Sequence, residues 1–319
     1  MDHLQQSRLN LLTSYALDRG TLLRLDEEHL GQRVLSEKAR FIGVHHLQIA
    51  VDEAGGLRPA LLNRNDAQRR FGRCEPWVYL GAQNNEDFFA LLLDNNQPRQ
   101  TQGFAGLRTL AAQVDHAQAT LLSYARAMAA WHQRHLYCGR CGSDTAVHQG
   151  GHVRICAHTD CGEMHYPRTD PAIIVLVEQD DRALFGRKRE WPVHRYSTIA
   201  GFVEPGESAE QALVREVAEE TGVEVVSAQY HSSQPWPFPG SLMLGYHAVA
   251  GNSEITLNDR ELEHACWLNR DDITEQMHKG IFVTPPPISI SFRLIEDWFD
   301  RHSPTSLRKL REITATADF

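Results

Sequence analysis

GFVEPGESAEQALVREVAEETGV, residues 201–223, is the stretch that decides how this chain is read. Glu204-Pro205-Gly206-Glu207 has proline second and glycine third, the composition of a type II turn. Ser208 can cap a helix by accepting a backbone N–H, with Gln211 three residues on to close a capping box. Gly222 supplies the C-terminal stop. At 3.6 residues per turn, Glu216, Glu219 and Glu220 fall within an arc of about 100°. Leu213, Val214, Val217 and Ala218 occupy the neighbouring arc and form the expected packing face. Carboxylates on adjacent turns repel one another, whereas oxygen ligands converging on one side suit Mg²⁺ or Mn²⁺. On helix composition alone, a solvated acidic face with an Arg215–Glu219 pair is the simpler reading. The preceding glycine turn and Glu207 reverse that preference.

The 319 residues are 42% apolar and 23% charged, ordinary for a globular protein with two or three domains. No apolar run approaches a membrane span. The N-terminal MDHLQQSRLN lacks a basic segment followed by an apolar one, and the C-terminal TATADF matches no common address signal, so the cytoplasm is the expected compartment. A net charge of −9 argues against a broad nucleic-acid surface. It also predicts metal dependence for any phosphate substrate. Like charges 4 Å apart repel by ~4 kcal/mol at an effective dielectric near 20.

Residues 1–106 mix short apolar runs with polar turns and read as a strand-rich domain with a few short helices. A helical linker spans 107–135, with Leu110, Val114, Ala117, Leu121 and Tyr124 on one face. Residues 136–166 hold Cys138-x2-Cys141 and Cys156-x4-Cys161. Four clustered cysteines in a chain without a secretory signal point to metal rather than disulfides. The wider second spacing leaves His158 and His165 as alternatives for the fourth ligand. A closed four-thiolate site would be structural, one zinc per chain. Cys74 and Cys266 are left as buried free thiols. From 167 to 319, a buried strand at Ile173–Val177, a turn at Asp180-Asp181, the glutamate helix, later strands near Leu242–Ala250 and Cys266–Leu268, and an amphipathic helix from Ile288 to Phe299 predict an α/β/α sandwich on a mixed sheet. No internal repeat is visible.

Ser233-Gln234-Pro235-Trp236-Pro237-Phe238-Pro239-Gly240-Ser241 follows the glutamate helix. Its prolines stiffen the backbone, so Trp236 and Phe238 lose little entropy on gripping a flat ring. A rigid surface loop or a proline-rich partner ligand are the competing readings.

Gly201 through Val223 matches every fixed position of the Nudix box, G-x5-E-x7-R-E-U-x-E-E-x-G-U with U aliphatic. Together with the aromatic loop, the cysteine segment, the linker Leu121–His132 and His165-Tyr166-Pro167-Arg168, the chain from about residue 107 onward resembles the NADH pyrophosphatase (NudC-type) group of Nudix hydrolases. That resemblance implies a Nudix sandwich preceded by a zinc ribbon. It implies divalent-metal ligation by Glu216, Glu220 and the carbonyl of Ala200, with Glu219 as ligand or base and Glu261 as a further ligand beside its competitor Glu263. It assigns substrate recognition to Gln234, Pro235, Trp236, Pro237, Phe238, Pro239, Gly240 and Ser241, and to Tyr166. Ser291 is carried over to substrate contact from a Ser289-Ile290-Ser291 stretch where the family more often has Ser-Ile-Ala.

The implied reaction is metal-dependent hydrolysis of the diphosphate of NAD(H) to NMN(H) and AMP by a homodimer. The same chemistry could act on the NAD cap of an RNA 5′ end, or on ADP-ribose and other dinucleotides. A non-catalytic binding module of the same fold is the contrasting class.

Overall fold

The computed structural model describes residues 2–52, 57–93, 102–258 and 261–315. They divide into two compact units: Leu12–Thr169 with Pro235–Ser241, and Met1–Leu11 with Asp170–Gln234 and Leu242–Phe319.

Helix α1 (His3–Leu9) opens the chain and groups with the second unit. In the first unit, α2 (Glu27–Leu35) leads to β1 (Ala39–His45), β2 (Gln48–Asp52) and β3 (Arg58–Pro59). After α3 (Arg64–Phe71) come β4 (Trp77–Gln83), β5 (Glu86–Leu92) and β6 (Phe104–Ala105). The sheet order is β3-β2-β1-β5-β4, with β6 on β2, and β1 and β5 run parallel. Phe41, Tyr79 and Phe89 bury one of its faces against Leu30 and Val34 of α2.

The linker is two helices rather than one, α4 (Leu107–Ala111) and α5 (His116–Arg134). Asp115 accepts a hydrogen bond from the Gln118 N–H and so starts a new helix where continuation was expected. Burial runs nearly all round α5, from Ala119 to His132, so a single predicted face understates its packing. The cysteine segment forms a three-stranded antiparallel sheet of β7 (Thr145–His148), β8 (Val153–Cys156) and β9 (Met164–His165).

The second unit contains β10 (Asp170–Gln179), β11 (Arg182–Arg187), β12 (Ile199–Phe202), α6 (Ala209–Thr221), β13 (Val225–Trp236), β14 (Ser241–Ala250), β15 (His264–Leu268), α7 (Arg270–His278), α8 (Ile290–Asp300) and α9 (Leu307–Ala315). Its sheet order is β13-β14-β10-β11-β15, with β12 paired to β10. Strand β10 explains the layering. Ile174 and Leu176 pack with Phe185 against Ile273, Phe292, Ile295 and Leu307 of α7, α8 and α9. Ile173, Val175 and Val177 pack with Leu184 against Ala212, Leu213 and Val217 of α6. A strand buried on both faces needs apolar residues at every position, and Ile173–Val177 has them. The expected sandwich of helices on a mixed sheet is the observed one.

Residues up to Leu11 join this unit through side chains. Asn10 donates from Nδ2 to Ser232 Oγ (3.0 Å) and Ser233 O (2.9 Å), and Gln6 donates to Asp297 Oδ1 (3.4 Å). Among the described residues, no helix is long and apolar enough to cross a membrane.

Two further expectations shift. Val214, placed on the packing face by its angle, is 46% exposed, and Cys266 is only partly buried. The buried stripe of α6 instead runs through Ala212, Leu213, Val217, Glu220 and Thr221. Leu213→Ala should therefore destabilise this unit by about 2–5 kcal/mol, while Val214→Ala changes stability by less than ~0.5 kcal/mol. Urea unfolding of the two variants checks the contrast.

Candidate functional site

The turn and caps of the glutamate helix form as their residues dictate. The Glu207 N–H donates to Glu204 O at 3.0 Å across the turn, and Gly206 takes a φ of 97°. Ser208 and Gln211 complete a reciprocal capping box, and Gly222 ends α6 at a φ of 70°. Helix α6 lies directly on β12. A Cβ on Gly201 would stand 1.8 Å from Cδ of Glu216, so the missing side chain is what lets that carboxylate rest on the strand. Ala200, the neighbouring residue, pairs with Ile174 of β10.

Arg215 is fully committed to this arrangement. Its Nε and Nη2 donate to Glu207 Oε1 (2.7 Å) and Oε2 (2.9 Å), a two-pronged pair. Nη2 also reaches Phe202 O at 3.0 Å, and Nη1 meets Glu219 at 2.9 Å and Glu216 at 3.0 Å. The Arg215 hydrogen bonds hold the Glu207 carboxyl down at about 2. Glu216 moves the other way. Burial raises it, the charges of Glu219 and Glu261 add to the rise, and Arg215 opposes it.

Glu220 is 2% exposed, an unusual place for a carboxylate. Lys188 Nζ lies 3.8 Å from Glu220 Oε1 and 2.7 Å from Glu261 Oε2. Burial alone would lower the lysine, but the hydrogen bond it donates to Glu261 and the charge of Glu220 hold it above its usual range. Glu263 turns elsewhere and pairs with Arg187 at 3.2 Å. Lys188 was not anticipated. The basic run Arg187-Lys188-Arg189, directly after an apolar strand and in a chain with an acidic box, was the available signal.

These residues fit a divalent cation. One ammonium already lies between the Glu220 and Glu261 carboxylates, so both charge and space there favour a positive ion. The donors are all oxygens, the set that Mg²⁺ and Mn²⁺ take. The four cysteines fit zinc. Their sulfurs lie within 4.8 Å of one another, with Cys138–Cys161 at 3.9 Å and Cys141–Cys156 at 3.4 Å. Sulfurs arranged tetrahedrally at ~2.3 Å from zinc are ~3.8 Å apart. Neither His158 nor His165 is in that group.

The remaining predicted residues divide by what their side chains touch. Gln234 is buried; its Nε2 donates to Leu11 O and Ile288 O, and its Oε1 accepts from the Ile290 N–H. Ser291 is 1% exposed, and its hydroxyl meets Ser197 Oγ (2.8 Å) and Thr198 Oγ1 (2.9 Å). In the first unit, Trp236 and Phe238 meet edge to face at 4.9 Å, and the guanidiniums of Arg108 (4.1 Å) and Arg126 (4.6 Å) lie over the Phe238 ring. Burial first, and then Arg108 and Arg134, lower Arg126 to about 10. Pro235 and Pro239 are exposed, whereas Pro237 and Ser241 are buried. Tyr166, 49% exposed, lines a cleft of about 370 Å³ with Arg134, His135, Tyr137 and Arg168. The two arginines beside the aromatic loop were missed because Arg108 and Arg126 are more than 100 residues from it in sequence.

Comparison with known proteins agrees along most of the chain. A NUDIX domain model matches residues 167–284, the NADH pyrophosphatase-like rudimentary NUDIX domain matches 38–131, and the NADH pyrophosphatase zinc ribbon domain matches 133–166. The human NAD(P)H pyrophosphatase NUDT13, mitochondrial, is 33% identical over 334 residues, covering 93% of this chain and 94% of that protein. The NAD-capped RNA hydrolase NudC of Stutzerimonas stutzeri is 42% identical over 194 residues, covering 61% of this chain and 70% of that one. The NAD-capped RNA hydrolase NUDT12 of Macaca fascicularis is 40% identical over 197 residues; these are 58% of this chain but only 43% of that longer protein.

The Glu207–Arg215 clamp carries a pH signature. A carboxyl held below its unfolded value of ~4.3 adds stability above that pH, and the contribution is lost as pH falls through the folded value near 2. Glu207→Gln should therefore lower the melting temperature at pH 7, and the gap to wild type should close as the pH falls from about 5 towards 2. Thermal melts across that range measure it.

Proposed function

Because this chain belongs to the NADH pyrophosphatase-type Nudix hydrolases, we propose that it hydrolyses the diphosphate of NAD(H), giving NMN(H) and AMP. The observation that carries the reading is the convergence of Glu220 and Glu261 on one cation, beside a Glu216 carboxylate seated on Gly201. On this reading residues 1–106 form the N-terminal domain, 107–135 the linker, 136–166 the ribbon and 167–319 the catalytic domain, except that residues up to Leu11 group with the catalytic domain and Pro235–Ser241 with the N-terminal unit.

Glu216, Glu220 and Glu261, with the Ala200 carbonyl, would hold Mg²⁺ or Mn²⁺, which would supply charge neutralisation for the diphosphate oxygens and a lowered pKa for an attacking water. Glu219, the most exposed member of the helix triad, accepts the proton that this water loses. Arg215 and Glu207 keep the helix and its turn in register and do not touch substrate. Lys188 supplies a positive charge at the same carboxylates, positioned to meet a phosphate oxygen. Trp236 and Phe238 provide an aromatic surface for a base, with Pro235, Pro237 and Pro239 stiffening its backbone, Gly240 in the turn that follows and Ser241 at the start of β14. Gln234 and Ser291 act from inside the fold, the first on the start of α8 and the second on Thr198 before β12. Cys138, Cys141, Cys156 and Cys161 hold one structural zinc. The exposure of Tyr166 suits a homodimer in which it reaches substrate bound by the partner.

The NAD-capped RNA hydrolase relatives support a second substrate, an RNA whose 5′ end begins with NAD. Arg108 and Arg126 beside the aromatic loop suit the extra phosphates of such a substrate.

Glu220→Gln should cut turnover of NADH by about 10²-fold or more with the melting curve intact. Near-wild-type turnover would remove the metal role. Specificity constants for NADH, NAD⁺, ADP-ribose and NAD-capped RNA, measured in parallel, rank the substrates; Arg126→Ala should raise KM for the capped RNA more than for NADH.

A further inference from the structure

Away from the glutamate helix, the second unit gathers a different set of donors. His231 on β13, His247 on β14 and Asp297 on α8 each place one ligand atom within 4.8 Å of the other two. The His231 and His247 rings lie 5.3 Å apart, and His247 Nε2 is 3.6 Å from Asp297 Oδ2. Two donors bound tetrahedrally at ~2.0–2.1 Å from one zinc are ~3.3 Å apart, so small side-chain rotations close the remaining distance.

The other polar atoms of these side chains are already engaged, and their partners fix which nitrogens are left. His231 Nδ1 is 2.7 Å from Ser232 Oγ, which also accepts from Asn10. His247 Nδ1 is 3.2 Å from Glu178 Oε1, and Arg301 approaches the same nitrogen at 3.4 Å. A Nδ1–H donated to Glu178 leaves the Nε2 lone pair facing His231 and Asp297, as carboxylates do behind metal-bound histidines. Asp297 Oδ1 accepts from Gln6, and Arg301 stands 3.7 Å from Oδ2. Both Nε2 atoms are buried without a hydrogen-bond partner, and His231 is only 6% exposed. Two orphaned imidazole nitrogens in one buried spot need an explanation.

We propose that His231, His247 and Asp297 form a second transition-metal site of the zinc class, with imidazole Nε2 of both histidines and Asp297 Oδ2 as ligands. Two nitrogen donors and one carboxylate select zinc-class ions over Mg²⁺. The ion joins α8 to the β13–β14 pair and braces the strand that runs on into Gln234. The proposal is independent of the catalytic reading, because none of its residues belongs to the glutamate set.

The test uses the full-length protein with its ribbon zinc retained. Zinc bound per chain is counted by equilibrium dialysis with magnesium in excess, for wild type, His231→Gln and Asp297→Asn. Wild type should bind one equivalent beyond the ribbon zinc, and both variants should bind that equivalent at least about tenfold more weakly. Cobalt in its place should give d–d absorption without thiolate charge transfer, and the variants should lose it. If His231→Gln fails to fold, the less buried Asp297→Asn carries the comparison. A single zinc in wild type, or an extra equivalent unchanged in Asp297→Asn, overturns the proposal and makes the cluster a hydrogen-bonded histidine pair.

Discussion

Crowding of carboxylates between α6 and β12 is the constraint on which the site is built. Glu216, Glu219 and Glu220 share one flank of a helix that also has to bury Leu213 and Val217. Water would relieve the repulsion, but burial removes water from Glu220 and most of it from Glu216. The protein answers with two fixed cations. Arg215 ties the flank to Glu207, and Lys188 reaches in from the end of β11. Arg215 is saturated by its partners. Lys188 is not held in the same geometric grip, so its place is the one a harder cation can share or take. Gly201 completes the arrangement by offering bare backbone where any side chain would collide.

Much of this was legible in the sequence because it is local. The turn, capping box and C-terminal glycine each depend on residues within four positions of one another, and all three form as read. Strand β10 announced its double burial through an unbroken apolar run. Angle alone failed for Val214: the buried stripe is centred on Leu213 and Val217 and takes in Glu220, which leaves Val214 at its margin and 46% exposed. The linker misled for a similar reason. Leu110 and Leu121 keep a helical period, but Asp115 outweighs it by capping a fresh start.

What the sequence hid is long-range. Lys188 meets its carboxylates across 32 and 73 residues, as the differences in residue number show, and Arg108 meets the aromatic loop from further still. No repeat was visible, yet residues 38–131 match a rudimentary NUDIX model beside the full one at 167–284. The first stretch has no glutamate box, and packing can stay related after the chemistry that marks a sequence is gone. Gln234 and Ser291 show the converse. The family resemblance assigns them to substrate recognition, and their side chains are seen to bond inside the fold.

The docking of the first eleven residues on the second unit has a consequence for biosynthesis. Gln6 meets Asp297 across 291 positions of chain. At translation speeds of ~5–20 residues per second, the opening segment waits roughly 15–60 s for its partner to leave the ribosome. The intervening unit can fold during that interval, so the seating of Asn10 and Gln6 on β13 and α8 follows that folding rather than guiding it.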